Sequence, residues 1–183
     1  NIEIATNQSP LTKLPGNKQI EKFIANSFRN IQINTTHIIY FDFNDFKPFN
    51  DIYGFRQGDR AILIFSELLQ KRYPKNSFIA HIGGDDFFVG LTDFTFEDVF
   101  ELTLDIQNEF KYSAKNLYSN KDKELGYIVS KDRFGTTRNF NLLSVSCAIV
   151  EINCKSNILN FDDTLNIMKK ESKTSKEPVY KVL

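Results

Sequence analysis

Residues 78–91 read FIAHIGGDDFFVGL: two short apolar runs, Phe78–Ile82 and Phe87–Leu91, separated by Gly83-Gly84-Asp85-Asp86. A glycine pair between two bulky, β-prone runs is a hairpin signal. A hairpin requires antiparallel pairing, and that excludes a purely parallel sheet. Upstream, His37–Phe43 (HIIYFDF) predicts a buried strand that ends in polar residues. Before it, Ile20, Phe23, Ile24, Phe28 and Ile31 fall three or four apart, which predicts a helix from Lys18 with Asn17 as N-cap. A second helix is expected from Arg60 to Arg72, stopped by Tyr73-Pro74. Downstream, a third helix is expected from Thr95 to Leu117, then a polar stretch at Lys121–Glu124. A second hairpin follows, with strands Gly126–Val129 and Leu142–Val150 around a turn at Lys131–Gly135. A helix capped by Asp162 and running through Lys173, and an edge strand at Val179–Val182, complete the chain. The order predicts an α+β fold with helices packed on a mainly antiparallel sheet.

The chain has 183 residues, the size of one domain. Residues 1–16 read as a lead-in or linker and 17–183 as the domain; Asn1 in place of Met suggests a piece cut from a longer protein with upstream signalling domains. Lys plus Arg equals Asp plus Glu at 23 each, which argues against a nucleic-acid binder. No apolar run approaches the roughly 18 residues a membrane span needs. Cys147 and Cys154 form no metal or disulfide pattern, so a cytoplasmic location is expected, with both cysteines as small core residues. Eighteen Phe and no Trp predict a core built on phenylalanine.

Acids stand where a core does not need them. Asp42 ends the strand HIIYFDF, Asp85 and Asp86 sit in the hairpin turn, and Asp59 follows Gly58 near the start of the second helix, after Asn50-Asp51. Each alone is an ordinary solvated turn former. If the Asp42 strand lies beside the hairpin, however, the carboxylates converge and repel unless a cation separates them. Mg²⁺ suits such a place, since it takes oxygen ligands and leaves room for substrate phosphates. Lys47 follows the first acid, and glycines nearby admit a close phosphate approach.

Several segments together resemble a GGDEF domain, the catalytic module of diguanylate cyclases. They are SPLTKLPGN (Ser9–Asn17), FDFNDFKPFNDIYGFRQGD (Phe41–Asp59), HIGGDDF (His81–Phe87), LLSVSCAIV (Leu142–Val150) and KKESK (Lys169–Lys173), in the family's order over nearly the whole chain. The resemblance implies a nucleotide-cyclase or palm-like (ferredoxin-like) fold. It also implies condensation of two GTP into cyclic di-GMP and two pyrophosphates, with Mg²⁺ (Mn²⁺ possible), by two copies facing each other as a homodimer. It makes Asp42, Asp85 and the carbonyl of Phe43 metal ligands, and it sets Asn50 and Asp59 against the guanine edge. Lys47 and Lys173 would neutralise phosphates, with the backbone around Asn44–Phe46 donating to them. Asp86, with Asp85 and Lys47 in the catalytic set, would assist the metal or the attacking 3′-hydroxyl.

The sequence departs from that family in places. The motif is GGDDF, His81 stands where arginine is common, and Phe55 replaces a histidine. After Lys173 the nearest cation is Lys176, and the positions of the family's product-inhibition motif hold Pro74 and Ser77. The segment Gly126–Gly135 lengthens a hairpin beyond the common outline. Two functions stay open: an active diguanylate cyclase, or a catalytically degenerate domain that binds GTP or cyclic di-GMP and regulates an attached EAL or other signalling domain.

Overall fold

The hairpin of residues 78–91 forms. In the computed structural model, which describes residues 7–183, β2 (Phe78–Gly83) and β3 (Asp86–Thr92) pair antiparallel. Gly83 (φ 147°) and Gly84 (φ 54°) take the turn between them, in backbone conformations that L side chains rarely adopt. On its other side β3 pairs with β1 (Thr36–Asn44), and β1 pairs with β6 (Ser144–Ile152), both antiparallel; β7 (Val179–Val182) adds to β6 in parallel. The order is β2-β3-β1-β6-β7. The mainly antiparallel, ferredoxin-like sheet expected from the sequence is therefore the one found.

Strand alternation divides the core in two. Ile39, Phe41 and Phe43 of β1 face α3 (Phe55–Arg72) and α4 (Phe96–Ala114). Ile38 and its same-face neighbours meet α1 (Asn17–Arg29) and α6 (Phe161–Ser172). The first layer is built on phenylalanine, as the composition suggested. Phe65 of α3 touches Phe41, Phe43, Phe87 and Phe110 with ring centroids 5.0 to 5.4 Å apart, edge to face.

Four segments differ from expectation. Residues 46–53 form a separate helix, α2 (Phe46–Tyr53), entered through Asp45 in the left-handed region (φ 59°) and closed by Gly54 (φ 86°). It is only two turns long and packs Phe46, Phe49 and Tyr53 inward, of which Phe49 alone is fully buried. The next helix begins at Phe55, which puts Asp59 in its second turn. The polar stretch forms a short helix, α5 (Asn120–Leu125), with the Ser119 side chain accepting from the Asp122 N–H. The strand expected at Gly126–Val129 does not pair with Leu142–Val150. β4 (Tyr127–Lys131) pairs with β5 (Thr137–Asn141) as its own two-stranded ladder, while β6 is taken up by β1. β5 is mostly exposed and polar, so no period-2 pattern announces it.

At the termini of helices, Gly16 rather than Asn17 takes the first N-cap and Asn160 rather than Asp162 the last. Cys147 is buried as expected, but Cys154 is exposed and no part of the core. Among the described residues no helix is long and apolar enough to cross a membrane.

Candidate active site

Tyr40 and Asp42 share the β1 face that looks toward α6, and the register sets Asp42 opposite Asp86 on one side and Ser146 on the other. The turn glycines bring Asp85 to the same end, where its carbonyl accepts from the Phe43 N–H at 3.3 Å. Oxygens of Asp42, Asp85 and Asp86 then lie within 4.8 Å of one another, all half-buried.

Among the described residues Lys173, just past α6, is the one cation in ion-pair contact with this trio. Its Nζ is 2.6 Å from Asp42 Oδ2 and donates to the Phe43 carbonyl at 2.9 Å and to Asn44 Oδ1 at 3.2 Å. Asn44 is held in turn by Ser144 (3.0 Å) and Ser146 (2.6 Å). One turn earlier on the helix, Lys169 places its ammonium 3.8 Å from the centre of the Tyr40 ring.

The charges do not balance. Burial, with Asp42 and Asp85 nearby, pushes the Asp86 carboxyl up to about 7, against the relief of a hydrogen bond from Tyr40. Burial and then the Asp42 charge raise Asp85 as well. Burial and then Asp86 raise the Tyr40 hydroxyl. Burial lowers Lys169, which the fields of Asp86 and Asp42 partly restore. Three converging carboxylates, all hard oxygen donors beside an available carbonyl, fit a small divalent cation.

A pH dependence follows. Because the folded carboxyl of Asp86 titrates near 7 and an unfolded one near 3.8, its deprotonation costs stability as pH rises across that window. His37, buried on β1 beside Glu151, runs oppositely: burial lowers it, so it adds stability as pH rises toward 6.5 and nothing further above that. The comparison of Asp86→Asn with the unaltered chain separates the two. Without divalent metal, the variant's advantage in melting temperature should grow from pH 4 to pH 7.5, and Mg²⁺ should close the gap; a difference flat in pH would contradict this electrostatic picture.

The other expected residues fall into separate places. Asn50 is wedged between α2 and α3: a Cβ on Gly58 would lie 2.0 Å from Asn50 Oδ1, so only glycine admits this approach. That Oδ1 is buried and makes no hydrogen bond among the described residues. Asp59, the next residue, is exposed. The Phe46 ring packs against Phe43 at 5.4 Å, which leaves its backbone, ahead of the first helical bond from Phe49 N–H to the Asp45 carbonyl, as the part open to a ligand. Lys47 is not drawn to the carboxylates; it pairs with Asp51 at 2.7 Å on the exposed face of α2.

His81 is 4% exposed and stacks on Phe87 at 4.5 Å. Its Nε2 bonds the Gly84 carbonyl at 2.9 Å and its Nδ1 the Ser9 hydroxyl at 2.6 Å. With Nε2–H donating to the carbonyl, Nδ1 is left to accept from Ser9. The sequence reading missed this strut, as it missed Tyr40 and Lys169. Only the four-residue spacing of Lys169 and Lys173 signalled the last of these.

Comparison with known proteins bears on this arrangement. The profile of the family described as "Diguanylate cyclase, GGDEF domain" matches residues 6–132. The chain is similar to Signaling protein YkoW of Bacillus subtilis (strain 168), with 34% identity over 86 residues, 45% of this chain and 11% of that protein. It is similar to Cyclic di-GMP phosphodiesterase PdeR of Escherichia coli (strain K12), with 27% identity over 88 residues, 48% of this chain and 13% of that protein. The chain thus spans a small part of the length of both relatives. Among solved structures, the coiled coil and GGDEF domain of DgcB from Caulobacter crescentus in complex with c-di-GMP gives a TM-score of 0.72 at 17% identity, covering 98% of this chain and 88% of that one. At that identity the likeness is one of fold.

Proposed function

The chain belongs to the GGDEF family, and from that premise we propose that it is a diguanylate cyclase domain, condensing two GTP into cyclic di-GMP with release of two pyrophosphates. The observation that carries the reading is the convergence of Asp42, Asp85 and Asp86 within 4.8 Å at the ends of β1 and the β2–β3 turn. Mg²⁺, or Mn²⁺, held by Asp42, Asp85 and the Phe43 carbonyl would supply charge neutralisation for a triphosphate.

The chain's own residues do the rest. Lys173 already bridges Asp42 and the Phe43 carbonyl, so its ammonium stands where phosphate oxygens would approach. The backbone of Asn44–Phe46 offers N–H groups at the start of α2. Asn50, with an unanswered buried acceptor, and Asp59 on the neighbouring helix would read the donor edge of guanine. The 3′-hydroxyl oxygen of a GTP on a second copy forms a bond to the α-phosphorus while the bond to pyrophosphate breaks. On this reading Asp86 would take the hydroxyl proton. The side chain of Asp86, one methylene shorter than glutamate, still joins the trio because the register seats it opposite Asp42.

A second reading has its own support. Lys47 is held by Asp51 and the His81 ring is occupied as a strut, so neither side chain is turned to the carboxylate trio. On that reading the domain binds GTP or cyclic di-GMP and regulates an attached EAL or other signalling domain. Incubating concentrated protein with GTP and Mg²⁺ and separating the nucleotides by chromatography decides between them. Cyclic di-GMP formation is the expected result. Mg²⁺-dependent GTP binding without product favours the regulatory reading, and neither product nor binding sinks both.

A further inference from the structure

The β4–β5 hairpin stands outside the central sheet. β4 packs against α2 and α5, and β5 rests on β4. Among the described residues no hydrogen bond reaches the backbone of Thr137–Asn141 from outside that ladder. In an antiparallel ladder every second residue turns its N–H and C=O away from the partner strand, so the outer edge of β5 is open. Two-stranded ladders are marginal on their own, yet the tip of this one is held by a single carboxylate. Asp132 Oδ1 accepts from the N–H groups of Phe134 and Thr136, each at 2.9 Å, and Oδ2 pairs with the Arg138 guanidinium at 2.7 Å. Phe134 is thereby set outward, 76% exposed, with the Arg133 guanidinium 4.8 Å from its ring centre.

Between this tip and α2 runs a groove of about 310 Å³. Pro48, Phe134 and Phe140 give it apolar walls, and Lys47, Lys131, Arg133 and Arg138 ring it with positive charge. Asp132 is the one acid in the lining and is engaged by Arg138 and the turn, while Lys47 is paired with Asp51. Lys131 and Arg133 are left without an ion pair among the described residues. The chain as a whole has no net charge, so this excess of cations is local. A solvated surface accounts for the cations alone. It does not account for their meeting apolar walls and an open strand edge on one hairpin.

We propose that this hairpin is a docking site for an acidic, extended segment of a partner protein. The segment adds to the outer edge of β5 by main-chain hydrogen bonds, sets an apolar side chain against Phe134 and Phe140, and brings carboxylates to Lys131 and Arg133. The open edge is what selects a polypeptide: an anionic lipid or a nucleic acid would answer the charges but not a row of main-chain donors and acceptors. None of Asp42, Asp85 and Asp86 lines the groove, and the proposal does not rest on the cyclase reading.

The test applies the labelled full chain to an array of immobilised peptides that alternate Asp or Glu with Val, Ile, Phe or Tyr, beside a matching array with Lys in place of the acids. Binding to the acidic set alone is expected, weakening with salt. Methylating alternate backbone nitrogens of a bound peptide should abolish binding in one phase and spare it in the other, because only one set faces β5. In solution, by fluorescence anisotropy, Lys131→Glu/Arg133→Glu and, separately, Phe134→Ser should each lower the affinity about tenfold or more. The three side chains are exposed and Asp132 is kept, so both variants should melt as the unaltered chain does; should one melt lower, the other decides. Acidic peptides bound no better than the lysine set, or an affinity that neither variant moves, overturns the proposal. Indifference to methylation in both phases overturns the strand addition. Preference, through the same residues, for phosphatidylserine vesicles or single-stranded DNA over every peptide of the array overturns the choice of a protein partner.

Discussion

Replacing Asp85 by alanine is expected to lower cyclic di-GMP formation by on the order of a thousandfold while leaving the fold at least as stable. On the proposed reading the loss follows from removing a carboxylate that would hold the metal against the phosphates, and single electrostatic groups at such a point are worth about 10² to 10³ in rate. The gain in stability has a separate origin. Asp85 carries its charge half-buried beside Asp42 and Asp86, and its raised affinity for a proton shows that the folded state holds that charge at a disadvantage. The turn itself survives the change, because the contact from Phe43 goes to the Asp85 backbone carbonyl. Product assays and thermal melting without metal check both halves. A variant that loses activity by melting at lower temperature would show Asp85 to be a structural residue instead.

The largest effect on stability is expected from Phe65→Ala. Phe65 is fully buried at the point where rings from β1, β3, α3 and α4 meet, with four aromatic neighbours. Three of the four surrounding rings, Phe41, Phe43 and Phe87, sit on strands held in register, which limits collapse into the space. The cost should reach about 3 to 5 kcal/mol, or about 6 to 20 °C in melting temperature for a domain of this size. Urea unfolding with an unchanged slope measures it; a loss under about 1 kcal/mol would mean that this layer repacks freely.

How much of this was legible beforehand depended on where each signal resides. β1, β2, β3 and β6 are runs of bulky residues, and the glycine pair at 83–84 fixed their antiparallel sense, so the sheet could be read from the chain. α2 could not, because its apolar positions Phe46, Phe49 and Tyr53 span only two turns, which is too short a run to announce a helix, and it is entered through Asp45 in the left-handed region. β5 could not either, since an exposed two-stranded ladder sets no alternation of apolar residues. The convergence of Asp42 with Asp85 was legible because both acids end strands that the hairpin must bring together. The partners of His81, Lys47 and Lys169 were not, since a side chain's choice among neighbours is settled by tertiary packing. Spacing alone says nothing of whether a lysine turns toward a carboxylate in the sheet or toward Asp51 on its own helix.

The strut at His81 ties two distant parts of the chain together. Ser9 holds one nitrogen of the ring and Gly84 the other, and the Pro15 carbonyl accepts from the His81 N–H at 3.0 Å. Gly84 is the residue just before Asp85, so one imidazole stands between the chain ahead of α1 and the peptide that carries the carboxylate, and the tip of the β2–β3 turn is anchored outside its own hairpin.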